Sequence, residues 1–253
     1  MFNVVAAELR KMKRPSIVLS TFAIIGTLSI GMTGFIFLSK NKDTWAEVSK
    51  FDGPTYSYSM VTSFMGYVAL TIFASQTAQE YTFGTLRNLL VRQPNRIILF
   101  LGKYLAMTVF AILFVLFTFI LNVGLSYILA KYQHLGIDSW SSTKGLQGLS
   151  KLFFNSMIAM IGFGSFGMAL GMILKSPLGA ISASLLWFLV VEGLLGAILK
   201  GATKWLPGNA LMVINDGGMT SLPFTRGLLI AATYVIALMS ISGYLFHTRD
   251  VAQ

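Results

Sequence analysis

Six long apolar segments, separated by short polar connections, dominate the chain. A helix needs about 20 mostly apolar residues to cross the hydrocarbon core of a bilayer, and each segment has about that length. The predicted spans are residues 16–38, 60–77, 105–130, 152–174, 178–199 and 227–246. Because the connections are too short to fold alone, the pattern predicts one all-α, polytopic integral membrane domain over residues 1–253.

The residues before the first apolar segment have the periodicity of an amphipathic helix. In FNVVAAELRKMKR, residues 2–14, a helix would separate an apolar face from a basic one. The apolar face carries Phe2, Val5, Leu9 and Met12, and the other face carries Asn3, Arg10, Lys11 and Arg14. Pro15 divides this helix from the first span. The pattern predicts a helix that lies in the membrane interface.

Composition supports a membrane protein and excludes several chemistries. The 253 residues are 55% hydrophobic and 11% charged, with a mean hydropathy of +0.72, whereas a soluble domain carries about 25% charged residues. The net charge of +10 would suggest nucleic acid as a partner of a soluble protein. Here the basic residues flank apolar segments, where anionic lipid and topology explain them, so no nucleic-acid partner is expected. The absence of cysteine excludes disulfides and thiolate metal sites, and no metal site is expected.

The distribution of Lys and Arg predicts the orientation in the membrane. With both termini in the cytoplasm, ten of the 19 Lys and Arg residues fall inside and nine outside. Two details favour this orientation: a cluster of four cations precedes the first span, and six of the seven arginines fall inside. The sequence therefore predicts a multi-pass protein of the cell membrane with both termini cytoplasmic.

The connection between the second and third spans, QEYTFGTLRNLLVRQPNR, concentrates polar residues. As a helix over about residues 79–93 it would have an apolar arc and a charged face. The arc carries Thr82, Phe83, Leu86, Leu89 and Leu90, and the opposite face carries Glu80, Gly84, Arg87, Asn88 and Arg92. Pro94 would end it, and Asn95 would cap the next helix. Two interpretations fit: a solvated turn whose arginines set the topology, or a docking helix for a cytoplasmic partner.

The longer segment QEYTFGTLRNLLVRQPNRIILFLGKYLA resembles the most recognisable part of the type 2 permeases of ATP-binding cassette (ABC) transporters. The matching positions are Glu80, Gly84, Thr85, Leu86, Arg87, Leu89, Leu90, Pro94, Arg96, Gly102 and Lys103. In addition, AELRKMKRPS resembles the opening helix of that family and YLFHTRDV resembles its usual ending. The resemblance favours the docking helix.

The resemblance implies a permease subunit of an ATP-driven exporter. Residues 79–93 would be the coupling helix that seats on a soluble ATPase subunit. The coupling residues would be Glu80, Gly84, Thr85, Arg87, Arg92, Pro94 and Arg96. Two ATPase subunits would bind ATP and Mg, and a second permease, identical or similar, would complete the assembly. Spans one, two and five would line a path for an amphiphilic or lipophilic cargo such as a peptide antibiotic, a drug or a lipid-like molecule, and antibiotic immunity or efflux would be typical roles.

The sequence has no G-x-x-x-x-G-K-[ST] phosphate loop, so we expect a non-catalytic subunit with no cofactor of its own. A membrane enzyme is a weaker alternative, because Ser165 has no predicted base and no H-E-x-x-H motif occurs. The alternative from another class is a secondary transporter or channel that works without ATP. It would require several ionisable groups within the spans or inverted repeats.

Four residues inside or after the spans are further candidates. Glu192 is a carboxylate within the fifth span, where an unpaired charge is costly. It either faces the transport path or is a structural group, protonated or satisfied by a neighbour such as Asn155. Gly167 and Gly171 form a G-x-x-x-G motif and predict close helix packing. After the fifth span, Asn209 is predicted to cap a short helix.

Overall fold

A computed structural model describes residues 1–38, 53–199 and 201–248. Within these ranges the secondary structure is helical, with no β-strand and one isolated bridge between Met219 and Leu222. Six of the described helices are long and apolar enough to cross a membrane. The prediction of an all-α fold with six helices able to span a membrane is therefore confirmed for the described residues.

The helices are numbered in chain order. They are α1 (Phe2–Met12), α2 (Pro15–Leu38), α3 (Gly53–Thr82), α4 (Thr85–Arg92), α5 (Arg96–Tyr132), α6 (Thr143–Leu174), α7 (Pro177–Leu185), α8 (Glu192–Ile198), α9 (Pro207–Asn215) and α10 (Phe224–Thr248). A π-helical segment, Leu186–Val191, joins α7 to α8, so that the two form one span from Pro177 to Ile198. Single 3-10 turns lie at Asp138–Ser141 and Ala202–Trp205.

Three spanning helices, α3, α5 and α6, are the ones that most exceed the apolar segments that predict them: they have 30, 37 and 32 residues. The 37 residues of α5 extend about 56 Å at 1.5 Å per residue, whereas the hydrocarbon core is about 30 Å thick. Hydropathy detects only the part of a helix that lies in lipid, but the helix continues until a cap or a breaker stops it. At the start of α5 that cap is Asn95, whose side chain accepts a hydrogen bond from the Ile98 N–H at 3.0 Å.

The centre of the bundle is the contact between α3 and α6, and it depends on two glycines of α6. A Cβ atom on Gly167 would collide with the carbonyl oxygen of Leu70, and one on Gly171 would lie 2.7 Å from the carbonyl oxygen of Ala74. The backbones of the two helices therefore approach each other directly at the G-x-x-x-G motif. The van der Waals packing that this close approach permits holds the two helices together, because the hydrophobic effect does not act between helices in lipid.

A buried polar network attaches α2 to the bundle. The Thr33 hydroxyl donates to Asn122 Oδ1 of α5 at 2.9 Å, and Asn122 Nδ2 donates to the Ser29 hydroxyl at 2.9 Å. Ser57 of α3 donates to the Thr33 hydroxyl at 3.0 Å. All four side chains are buried. Hydrogen bonds of this kind hold spanning helices together where water is excluded.

Candidate functional site

The polar connection at residues 79–96 lies at the end of the bundle where α3 ends and α5 begins. The structure divides it in two, whereas the sequence interpretation had one helix over 79–93. The helix α3 continues to Thr82, and Gly84 adopts a left-handed conformation with φ of 63° before α4 starts at Thr85. Glycine takes this conformation without a steric penalty, so the break occurs where the sequence permits it.

The apolar face of α4 is seated on the bundle, and its polar face is exposed. Leu86 is only 1% exposed, and Leu89 and Leu90 pack beside it against the core. Arg87 and Asn88 are exposed. The break at Gly84 changes the predicted apolar arc at its start, because Thr82 and Phe83 precede the turn. Phe83 is 72% exposed rather than packed.

Glu80 does not lie on the exposed charged face that the sequence suggested. It belongs to the last turn of α3 and is 2% exposed. Its carboxylate accepts a hydrogen bond from Lys11 of α1 and another, of 2.5 Å, from Lys103 of α5. Lys103 also donates to Glu8 of α1 at 3.1 Å. We refer to Glu8, Lys11, Glu80 and Lys103 as the ion cluster.

The ion cluster joins α1, α3 and α5 at one point. It contains two carboxylates and two ammonium groups, so its formal charge is zero. Removing one member of a buried ion pair leaves an uncompensated charge, which costs far more than the pair contributes. Next to the cluster α1 packs closely on α5, since a Cβ atom on Gly102 would lie 2.7 Å from the Val4 side chain. The helix α1 is therefore amphipathic, and it is also attached to the bundle by the ion cluster and by this close packing.

The roles of Glu8, Lys11 and Lys103 in the cluster were missed from the sequence. The helical projection of residues 2–14 places Lys11 on the face opposite the apolar one, and Lys103 appears beside Gly102 among the positions of the resemblance. A signal was present, because Glu8 is the acidic residue in an otherwise basic helix and Lys103 lies inside a long apolar run. Each of these residues requires an opposite charge if it is buried.

The other proposed coupling residues divide between surface and interior. Gly84, Thr85, Arg87 and Pro94 are exposed, and Arg92 is the last residue of α4. Arg96 is turned toward α10 instead: its Nη1 donates to the carbonyl oxygens of Phe246 and His247 at 3.1 and 2.9 Å. These carbonyls belong to the last turn of α10, where a basic side chain is favourable.

A surface notch of about 310 Å³ lies between α1 and α4. It is lined by Lys11, Arg14, Gln79, Glu80, Phe83, Thr85, Asn88 and Leu89. The notch combines basic side chains from α1 with the polar face of α4. It therefore presents a concave and mostly apolar surface that also carries basic and amide side chains, at the same end of the bundle as the ion cluster.

At the other end of the bundle, Glu192 holds the start of α9. Its carboxylate accepts hydrogen bonds from the backbone N–H groups of Gly208 and Asn209 at 2.9 and 3.1 Å, and from Trp187 Nε1 at 3.1 Å. Glu192 is thus the acceptor at the N-terminus of a helix, where a carboxylate is favourable. Asn155, the partner considered from the sequence, lies beside Gly217.

The prediction that Asn209 caps this helix is wrong. Asn209 lies within α9, after Pro207 in the first helical turn, and donates its own N–H to Glu192. The helix is nine residues long and almost entirely buried against α6 and α10. At about 14 Å it is too short to cross the bilayer.

These six spans match a known family model. The chain belongs to the DUF2705 family, described as proteins of unknown function. The match covers residues 17–252. No curated protein matches the chain. The DUF2705 match includes all six spans and the α4 connection, and it leaves Glu8 and Lys11 of the ion cluster outside its range.

Replacement of Lys103 by Met should destabilise the protein by about 3–5 kcal/mol, because Glu8 and Glu80 lose their shared buried cation. Unfolding of the purified protein in detergent measures the change. Lys144→Met is the matched control, because this lysine is exposed and lies in the first turn of α6. It should change stability by less than about 0.5 kcal/mol. The double variant Lys103→Met with Glu80→Gln should recover part of the loss. Equal stability of the Lys103 and Lys144 variants would contradict the ion cluster.

Replacement of Glu192 by Leu should open the start of α9, because the N–H groups of Gly208 and Asn209 lose their acceptor. Each unpaired group costs about 1–3 kcal/mol. Hydrogen exchange of the backbone over residues 208–215 measures the local opening. Glu192→Gln retains an oxygen acceptor and should exchange more slowly than the Leu variant. Parent-like exchange in the Leu variant would show that Glu192 does not hold α9.

Proposed function

We propose that this chain is the membrane-spanning permease subunit of an ATP-driven ABC exporter. It would assemble with a second permease, identical or similar, and with two soluble ATPase subunits that bind ATP and Mg. The observation that carries the proposal is α4, a short helix that packs on the bundle through Leu86 and leaves Arg87 and Asn88 exposed. This helix lies within the segment that resembles the coupling helix of type 2 permeases.

The geometry around α4 suits the transmission of force from a partner. The helix is joined to α3 through Phe83 and Gly84 and to α5 through residues 93–95, so a displacement of α4 acts on two spans directly. Behind α4 the ion cluster ties these two spans to α1. A partner that pressed on α4 would therefore move three helices together. The exposed coupling residues and the notch form the proposed docking surface.

Within this proposal Glu80 and Arg96 are positioning residues rather than contacts with the ATPase. Glu80 fixes the end of α3 to α1 and α5, and Arg96 fixes the start of α5 to the end of α10. Gly84 permits the turn into α4, and Pro94 separates α4 from α5. Thr85, Arg87 and Arg92 remain the proposed contacts, since they lie on α4 itself.

A polar groove supports a transport path at spans one, two and five. It has a volume of about 410 Å³ and lies between α2, α3 and α7. Its lining is rich in hydroxyl and amide groups: Ser16, Ser20, Thr21, Thr71, Ile72, Ser75, Gln76, Gln79 and Ile181. Such a lining can hydrogen-bond uncharged polar groups while the surrounding spans contact apolar ones. An amphiphilic cargo, such as a peptide antibiotic, a drug or a lipid-like molecule, fits this chemistry.

The alternative of an ATP-independent transporter has weaker support. Its case depended on Glu192 as an ionisable group in the path, but this carboxylate accepts three hydrogen bonds from its own chain. In the proposed exporter, α9 closes the outer end of the path and Glu192 holds it there. The residue would then affect transport through the position of α9.

Charge reversal on α4 tests the proposed coupling. The proposal expects a neighbouring reading frame that encodes a phosphate-loop ATPase. The chain is coexpressed with that ATPase, and both co-purification and transport-coupled ATP turnover are measured. Arg87→Glu, alone and with Arg92→Glu, should reduce both, because a reversed charge at a docking surface weakens assembly by about 1–3 kcal/mol, or about five- to 150-fold. Membrane insertion should be unchanged.

Lys144→Glu provides the matched control, since this exposed lysine lies in the first turn of α6, at the opposite end of the bundle from α4. Its complex and its ATP turnover should equal those of the parent. The proposal fails if the ATPase binds the parent and the double α4 variant equally well, or if the parent binds no ATPase.

Single cysteines test the proposed orientation, in which both termini lie on the cytoplasmic side of the cell membrane. The parent has no cysteine, so each introduced thiol is the sole target of an impermeant maleimide. Gly136→Cys and Asp216→Cys, both at exposed positions, should react in intact cells, and Asn88→Cys on α4 should react only after permeabilisation. Labelling of position 88 from outside would reverse the orientation.

A further inference from the structure

A small cavity lies inside the bundle where α3, α5, α6 and α9 meet, and its volume is about 10 Å³. Three short polar side chains reach its wall: Thr62 of α3, Ser156 of α6 and Asn215 of α9. Each of them is at most 5% exposed. Most of the remaining lining is apolar and includes the buried side chains of Met65 and Met160. This buried lining separates the cavity from lipid and from bulk solvent.

The hydroxyl protons around the cavity are already in use. The Thr62 hydroxyl donates to the carbonyl oxygen of Ser59 at 3.0 Å. The Ser156 hydroxyl donates to the carbonyl oxygen of Phe153 at 2.9 Å. The Tyr58 hydroxyl lies 2.8 Å from Ser156 Oγ, so Tyr58 is the donor in that contact. Each of the two lining hydroxyls therefore offers a lone pair to the cavity and has no proton left to donate.

Asn215 presents an acceptor that the described residues do not satisfy. Its Nδ2 donates to Thr62 Oγ1 at 3.1 Å and to Asp216 Oδ1 at 3.0 Å. An ionised carboxylate only accepts hydrogen bonds, which fixes the amide with its nitrogen toward Asp216. Within the described residues no donor contacts Asn215 Oδ1. Buried polar groups are nearly always paired in native structures, so this oxygen requires a donor that these residues do not supply.

The size and the chemistry of the cavity select its occupant. A buried water needs a cavity of about 10–15 Å³, so this cavity is just large enough for one molecule. A water brings two protons, whereas an anion has none to donate to Asn215 Oδ1. The described lining contains no carboxylate, so a metal ion would bring an uncompensated charge into the bundle. Water is the occupant that satisfies the acceptor at no cost in charge.

We propose that this cavity binds one structural water that joins α9 to α3 and α6. The water donates one hydrogen bond to Asn215 Oδ1 and the other to the hydroxyl oxygen of Thr62 or Ser156. It thereby attaches the last turn of α9, whereas Glu192 holds the first turn. This short helix is then held at both ends. The water site is independent of the proposed transport function, since it depends only on the packing of the chain.

X-ray radiolysis of the purified protein in detergent tests the site. A pulse of X-rays splits water into hydroxyl radicals, so a bound water oxidises the methionine beside it to the sulfoxide. Peptide mass spectrometry measures the oxidation of each methionine. Met65 and Met160 line the cavity, whereas Met168, also on α6 and also buried, lies outside it. We expect oxidation of Met65 and Met160 and only background oxidation of Met168.

Hydrogen peroxide, added without X-rays, distinguishes a bound water from an open path to solvent. It should oxidise the exposed Met219 and leave Met65 and Met160 reduced, because their cavity is enclosed by buried side chains. Equal radiolytic oxidation of Met160 and Met168 would overturn the site. So would oxidation of Met160 by peroxide as fast as that of Met219.

A cavity-filling variant assigns the oxidation to this water. Ala159→Val adds methyl groups to the lining of the cavity. These groups exclude the water, so radiolytic oxidation of Met65 and Met160 should fall to the background level. Ala23→Val, at an exposed alanine of α2, is the matched control and should show the oxidation pattern of the parent. Parent-like oxidation of Met160 in a folded Ala159 variant would contradict the proposal, and the comparison within the parent decides the question if that variant does not fold.

Discussion

The ion cluster is the interaction on which one whole end of the bundle depends. Glu80 and Lys103 lie on α3 and α5, which are separated in sequence only by the short α4 connection. Glu8 and Lys11 come from the N-terminal helix, so the cluster closes a contact between distant parts of the chain. Buried charges tolerate few alternative arrangements, because any shift that separates them leaves one uncompensated. The positions of α1, the end of α3 and the first turns of α5 are therefore fixed together, and α4 is held between the last two.

A second contact fixes α5 from its other side. Arg96 binds the final carbonyls of α10, while Lys103, seven residues or about two turns later, binds α1 and α3. The start of α5 thus connects the first and last helices of the described fold. Since α4 leads directly into this segment, a load on α4 would be distributed over the bundle instead of bending a free loop. This is the physical reason why we propose the α4 connection as the docking element.

The sequence was sufficient for the class of fold because hydropathy depends on local composition, and six apolar segments admit few alternatives in lipid. It was insufficient for the direction in which charged side chains point. A helical projection of residues 79–93 placed Glu80 with Arg87, but the turn at Gly84 separates them, and only the fold brings Lys11 to Glu80. The same limit applies to Glu192. Its backbone donors, the N–H groups of Gly208 and Asn209, lie 16 and 17 residues later in α9. Sequence periodicity does not show how α9 is oriented relative to the fifth span.

The described charges within the bundle have one feature in common: they hold helices at the two ends of the spans. Glu192 accepts the first N–H groups of α9, Arg96 binds the last carbonyls of α10, and the ion cluster joins three helices. Groups committed in this way are poor carriers of protons or ions, because each movement would leave a buried partner unpaired. Energy for transport would then have to enter at a surface, and α4 is a described surface helix that is linked to two spans at once. The polar groove at α2, α3 and α7, with its uncharged hydroxyl and amide lining, is consistent with that division of roles.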